Sequence, residues 1–122
     1  MNISPISGAV FRAGKVNINI PNVDSKNLYN YEEYQVLASL EDADIDITKK
    51  EKLESFYLKN YKHYSVGASK VYDGKVFESK TTVSLPKNTS ISMTETEIRK
   101  AVYSTLSFLK EKIVLSIINK QK

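Results

Sequence analysis

Three acids at alternate positions, Asp42-x-Asp44-x-Asp46, have the spacing of the first ligands of a calcium loop. Carboxylate oxygens suit a hard divalent cation, but such a loop also needs Gly at its sixth position and a bidentate Glu at its twelfth. Here those places hold Ile47 and Leu53, so the acids read as a polar connector and no metal is expected. His63 is the only histidine. A hydrolytic triad would set it beside a serine on a strained elbow and an orienting acid. No glycine-flanked serine is present, and four glycines leave no phosphate-cradling loop and no Gly-Lys-Ser/Thr motif. The chain has no cysteine, which removes thiol nucleophiles, disulfides, zinc–thiolate sites and iron–sulfur clusters. With no catalytic residues and no cofactor indicated, the sequence points to a non-enzymatic protein.

A second group of residues suits binding. Lys59, Lys62, Lys70, Lys75, Lys80 and Lys87 surround Tyr57, Tyr61, Tyr64 and Tyr72. Ammonium groups neutralise phosphates and exposed rings stack on unpaired bases. Lys70, Lys75 and Lys80 are the candidate nucleic-acid contacts of this reading. The order helix, hairpin, helix is similar to that of double-stranded-RNA-binding domains. That family opens its last helix with lysines, and Thr94-Glu95-Thr96-Glu97 stands in that place here, where it would repel phosphate. Tyr64-Ser65-Val66-Gly67-Ala68 followed by Asp73-Gly74-Lys75-Val76-Phe77 resembles the first hairpin of cytidine deaminases. The cysteine ligands of that family have no counterpart, so no site is carried over.

The charge distribution is lopsided. From Leu28 to Ile47 the charged residues are all acidic (Glu32, Glu33, Glu41, Asp42, Asp44, Asp46), whereas lysines dominate from Lys59 onward, and the net charge is +4. Such asymmetry can steer an acidic partner to one face, or simply give two differently charged solvated surfaces. Apolar residues make up 41% of the chain, enough for an ordinary globular core in one domain spanning residues 1–122. No apolar run approaches the roughly 20 residues that cross a bilayer. No basic region precedes an apolar core near Met1, so the expected location is cytoplasmic, although the acid-free segment Met1–Gly14 also suits an unstructured export signal. Residues 1–8 are expected to be flexible.

The elements that must position these residues follow from periodicity. Lys15–Ile20 alternates polar and apolar, predicting a half-buried strand with Val16, Ile18 and Ile20 inward. Residues 28–40 read as a helix with Tyr34, Leu37 and Ala38 on one face, extended by Tyr31 and Leu40. Thr48-Lys49-Lys50-Glu51 has the form of a capping box, predicting a second helix over 48–61 with Leu53, Phe56, Tyr57 and Tyr61 at helical spacing. Residues 64–85 read as a β-hairpin around Asp73-Gly74, a pair that accepts both positive φ angles of a type I′ turn. That turn pairs Tyr72 with Lys75, Val66 with Thr81 and Tyr64 with Val83. It sets Tyr64, Val66, Ala68, Phe77, Val83 and Leu85 on one face, and leaves Val71 with Val76 as an exposed pair or a bulge. Thr94-x-x-Glu97 is a further capping box, predicting a long final helix over about 94–118.

The expected fold is α+β: a small antiparallel sheet with the central hairpin, covered by the C-terminal helix and flanked by the two shorter ones. Ile113-Val114-Leu115-Ser116-Ile117-Ile118 is apolar nearly all round, which one sheet face cannot cover. Val114, Leu115, Ile117 and Ile118 are therefore the candidate protein interface. The function expected is a small binding or adaptor protein acting through protein–protein contacts and self-associating through this helix. The alternative is a nucleic-acid-binding accessory protein using the Lys/Tyr-rich hairpin surface. No membrane contact is expected.

Overall fold

Alternation of Val16, Ile18 and Ile20 with Asn17 and Asn19 puts one side of the first segment against the core and the other in water. It forms strand β1 (Val16–Asn19), the first element of a computed structural model that describes residues 14–20, 31–50 and 60–120. Helix α1 (Tyr31–Glu41), strands β2 (Asp44–Lys50), β3 (Tyr61–Tyr72) and β4 (Lys75–Pro86), and helix α2 (Ile91–Lys120) follow. The strands form one open mixed sheet in the order β1-β2-β3-β4, so the α+β class expected from the sequence is the class observed.

The β3–β4 hairpin has the register its turn imposes. Tyr72 faces Lys75, Val66 faces Thr81 and Tyr64 faces Val83. Asp73 and Gly74 both have positive φ, 52° and 77°, as the type I′ turn needs. Pairing continues without a bulge to Tyr61 and Pro86, so Val71 and Val76 form an exposed cross-strand pair near the tip. Tyr64, Val66, Ala68 and Val83 are buried, with Phe77 and Leu85 packed against them. Ile98, Ala101, Val102, Leu106, Leu109 and Ile113 of α2 close over that face.

Two expectations are corrected. The helix predicted over 48–61 is not formed at either end: Thr48, Lys49 and Lys50 belong to β2 and Tyr61 opens β3, while Leu53, Phe56 and Tyr57 lie outside the described residues. Among the described residues there are two helices rather than three. The reason lies in Asp44-Ile45-Asp46-Ile47-Thr48, whose period of two buries Ile45 and Ile47 between neighbouring strands. The sheet is also mixed rather than antiparallel. β2 inserts between β1 and the hairpin, parallel to β1 (Val16 opposite Ile45) and antiparallel to β3 (Ile47 opposite Val66).

The last helix begins a turn earlier than Thr94. Ser90 is its cap, its Oγ accepting the Met93 amide at 3.1 Å. Thr94 lies inside the first turn, buried, donating its hydroxyl to the Ser90 carbonyl at 2.7 Å. In α1 the expected face holds for Tyr34 and Ala38, which are buried, but Tyr31 and Leu40 are exposed.

Candidate interaction surface

The three aspartates do separate structural work. Asp42 has a positive φ of 54° just past α1. Its amide reaches Ser39 O and the Ala43 amide reaches Ala38 O, which closes the helix as a Schellman stop. Asp44 Oδ1 accepts the amides of Gly14 and Lys15, each at 2.9 Å, and so holds the start of β1 to β2. Asp46 accepts from Asn17 Nδ2 across the same strand pair at 2.8 Å. Among the described residues no group of three or more His, Asp or Glu side chains is placed to share a cation. His63 is buried, its Nδ1 2.8 Å from Ser84 Oγ on the paired strand and its ring stacked near Tyr61.

The candidate nucleic-acid lysines do not share one surface. Lys70 Nζ donates to the Glu41 carbonyl at 3.0 Å, tying the hairpin to the end of α1. Strand alternation places Lys75 on the helix side of the sheet and Lys80 on the opposite side, where its stem passes Gly67.

The candidate protein interface is divided as well. Ile113 is buried, and Ile117, expected with the interface residues, packs instead against the core. Val114, Leu115 and Ile118 point outward at 51%, 52% and 46% exposure, joined by Phe108 at 50%. Phe108 was missed in the sequence because Lys110, Glu111 and Lys112 separate it from the apolar run. Helical spacing shows it, since Phe108 and Leu115 are two turns apart on one side.

The flanks of α2 differ. Arg99, Tyr103 and Lys110 face α1. Arg99 Nε and Nη2 hold the Glu33 carboxylate at 2.9 Å, the Tyr103 hydroxyl donates to the same carboxylate, and the guanidinium lies 5.2 Å from the Tyr103 ring centre. Lys110 pairs with Glu41 at 3.0 Å. Arg99 foremost, then Tyr103, holds the Glu33 carboxyl below its ordinary range, and the Glu33 bond raises the Tyr103 hydroxyl. The opposite flank overhangs β4. There Lys112 Nζ donates to the Glu78 carbonyl, and Thr105 Oγ1 lies 2.7 Å from Thr81 Oγ1 and 2.6 Å from Ala101 O. Thr105 has one proton, which goes to the carbonyl, so it accepts from Thr81. Lys120 pairs with Asp73 at the hairpin tip and keeps that carboxyl low. An open cleft of about 560 Å³ remains between tip and helix, lined by Lys75, Phe77, Lys112, Leu115, Ser116, Asn119 and Lys120. Lys112 and Lys120 are already engaged by their own chain.

No family model, curated protein or solved structure matches this chain. No helix among the described residues is long and apolar enough to cross a membrane.

Proposed function

We propose that this chain is a non-enzymatic binding protein that works through protein–protein contact and associates with a second copy through the C-terminal half of α2. The observation that carries this reading is the outward group of Phe108, Val114, Leu115 and Ile118, on the side of α2 the sheet does not reach. Among the described residues the flanking cations Lys110, Lys112 and Lys120 are turned to Glu41, the Glu78 carbonyl and Asp73 rather than toward the apolar group.

Magnitudes set the strength of this contact. Each side chain is about half exposed, so covering it contributes on the order of 1 kcal/mol. Four of them approach the lower end of the roughly 4–15 kcal/mol that association costs. The stripe is therefore part of an interface, and adjoining surface has to supply the remainder. Sedimentation velocity of the full chain across micromolar concentrations tests the reading. A monomer–dimer equilibrium that Val114→Asp and Ile118→Asp split into folded monomers supports it. A strict monomer whose variants lose their fold sinks it.

A further inference from the structure

Among the described residues strand β4 is an edge of the sheet, paired only with β3. In a hairpin closed by a two-residue turn, Lys75 opposite Tyr72 is a hydrogen-bonded pair, and bonded pairs then alternate with non-bonded ones. The amides and carbonyls of Val76, Glu78, Lys80, Thr82 and Ser84 therefore point away from β3, toward the free edge. The Lys112 bond to the Glu78 carbonyl agrees with that direction. The edge spans Lys75–Pro86, keeps one register throughout and has no proline before its last residue. Such an edge is a template for another strand.

We infer that β4 pairs antiparallel with β4 of a second copy, about a two-fold axis passing Ser79, to join the two described four-stranded sheets into one. The inference rests on the self-association proposed above and names where it is seated. Charge chooses the register. Centring on Ser79 sets Glu78 opposite Lys80 of the second copy, and the symmetry repeats the pair. Centring one residue either way sets Glu78 against Glu78 or Lys80 against Lys80, which cross-strand neighbours disfavour. Centring on Phe77 or Thr81 leaves both charges without an opposite partner.

The helix fits the same axis. Thr105 meets Thr81 and Lys112 meets Glu78, so seven helical residues span three strand residues. Both segments are about 10 Å long, so α2 runs antiparallel to β4 and aligned with it. Phe108 then stands level with Ser79 and Lys80, on the flank that overhangs the edge. Because α2 covers both β3 and β4, its axis lies roughly one strand spacing, about 4.8 Å, from the proposed two-fold. The two copies of α2 would lie roughly 10 Å apart, the distance at which helices pack. Phe108 would meet Phe108 across the axis, with Leu115 beside it. The Glu78 carbonyl has two lone pairs, so it can take the Lys80 amide of the second copy beside Lys112.

Reversing charges at Glu78 and Lys80 tests this, since both side chains are exposed on the face away from the core. In sedimentation velocity, Glu78→Lys alone or Lys80→Glu alone should weaken the dimer on the order of tenfold, and the double variant should restore it. Thermal melting should show all three folded. A dimer that ignores both single charge changes but is split by Val114→Asp and Ile118→Asp would overturn the edge pairing and leave self-association standing. A chain monomeric at high-micromolar concentration would overturn both.

Discussion

Helix α2 carries two apolar stripes of similar composition, and the sheet covers one of them. Ile98, Val102, Leu106, Leu109 and Ile113 are buried on β3 and β4, while Phe108, Val114, Leu115 and Ile118 lie half in water. Residue type alone does not separate the two groups. Reach does: a helix about 10 Å across resting on one sheet face turns only part of its circumference to that face. The flanks show a parallel contrast. The one toward α1 is joined by charge to Glu33 and Glu41, whereas the one above the β4 edge is joined through Lys112 and the Thr105–Thr81 pair.

Substitutions that act on one stripe and spare the other can break this comparison. The largest effect is expected on the covered side. Leu109→Ala should lower unfolding free energy by roughly 2–5 kcal/mol in a denaturant titration, because a buried leucine leaves a cavity. Gly74→Val should cost about 1–3 kcal/mol by imposing a β-branched residue at positive φ. Nothing lies within 4 Å of a Cβ built there, so the cost is backbone strain, and an unchanged melting temperature would refute it. On the uncovered side, Ile118→Asp should change the stability of the monomer by less than about 0.5 kcal/mol. A loss as large as that of Leu109→Ala would mean that the outer stripe is covered within the chain.

The charged flank sharpens the contrast through pH. Glu33 has its folded pKa lowered by Arg99 and Tyr103, so its contribution is complete above the ordinary glutamate value and fades as pH falls through the folded one. Tyr103 is raised, so its share is complete below the ordinary tyrosine value and fades as pH rises through the folded one. The stability difference between the native chain and Glu33→Gln should be level near neutrality and shrink below about pH 4. A difference constant down to pH 3 would show that the cluster adds nothing through charge. The smallest effect is expected for nucleic acid. Fluorescence anisotropy with single-stranded oligonucleotides should show no saturable binding near physiological salt, because the structure separates Lys80 from Lys70 and Lys75. Submicromolar binding whose salt slope flattens in Lys75→Ala and Lys80→Ala would reverse the ranking.

Much of the fold was legible where local rules dominate. The turn geometry of Asp73-Gly74 sets the hairpin register from two residues, and the spacing of Ile98, Val102, Leu106 and Leu109 sets the covered face of α2. The strand at Asp44–Lys50 was hidden by a local signal. Thr48-x-x-Glu51 has the form of a helix cap, and a capping box is worth little beside burying Ile45 and Ile47 between two strands. Of the outward apolar residues, Val114, Leu115 and Ile118 are readable from the apolar run and Phe108 from helical spacing alone, whereas Ile117 packs partly against the core.

By itself the sequence determined the hairpin, its turn and its two faces, the half-buried strand at Val16, the long final helix, and an excess of apolar surface on that helix. These depend on periodicity and on backbone conformations set by neighbouring residues. Only the tertiary structure decided that β2 enters between β1 and β3, that the three aspartates stop a helix and join strands, and that β4 is an edge of the sheet among the described residues. Strand order and helix placement bring together residues far apart in the chain, and their free energy comes from contacts that no local pattern records.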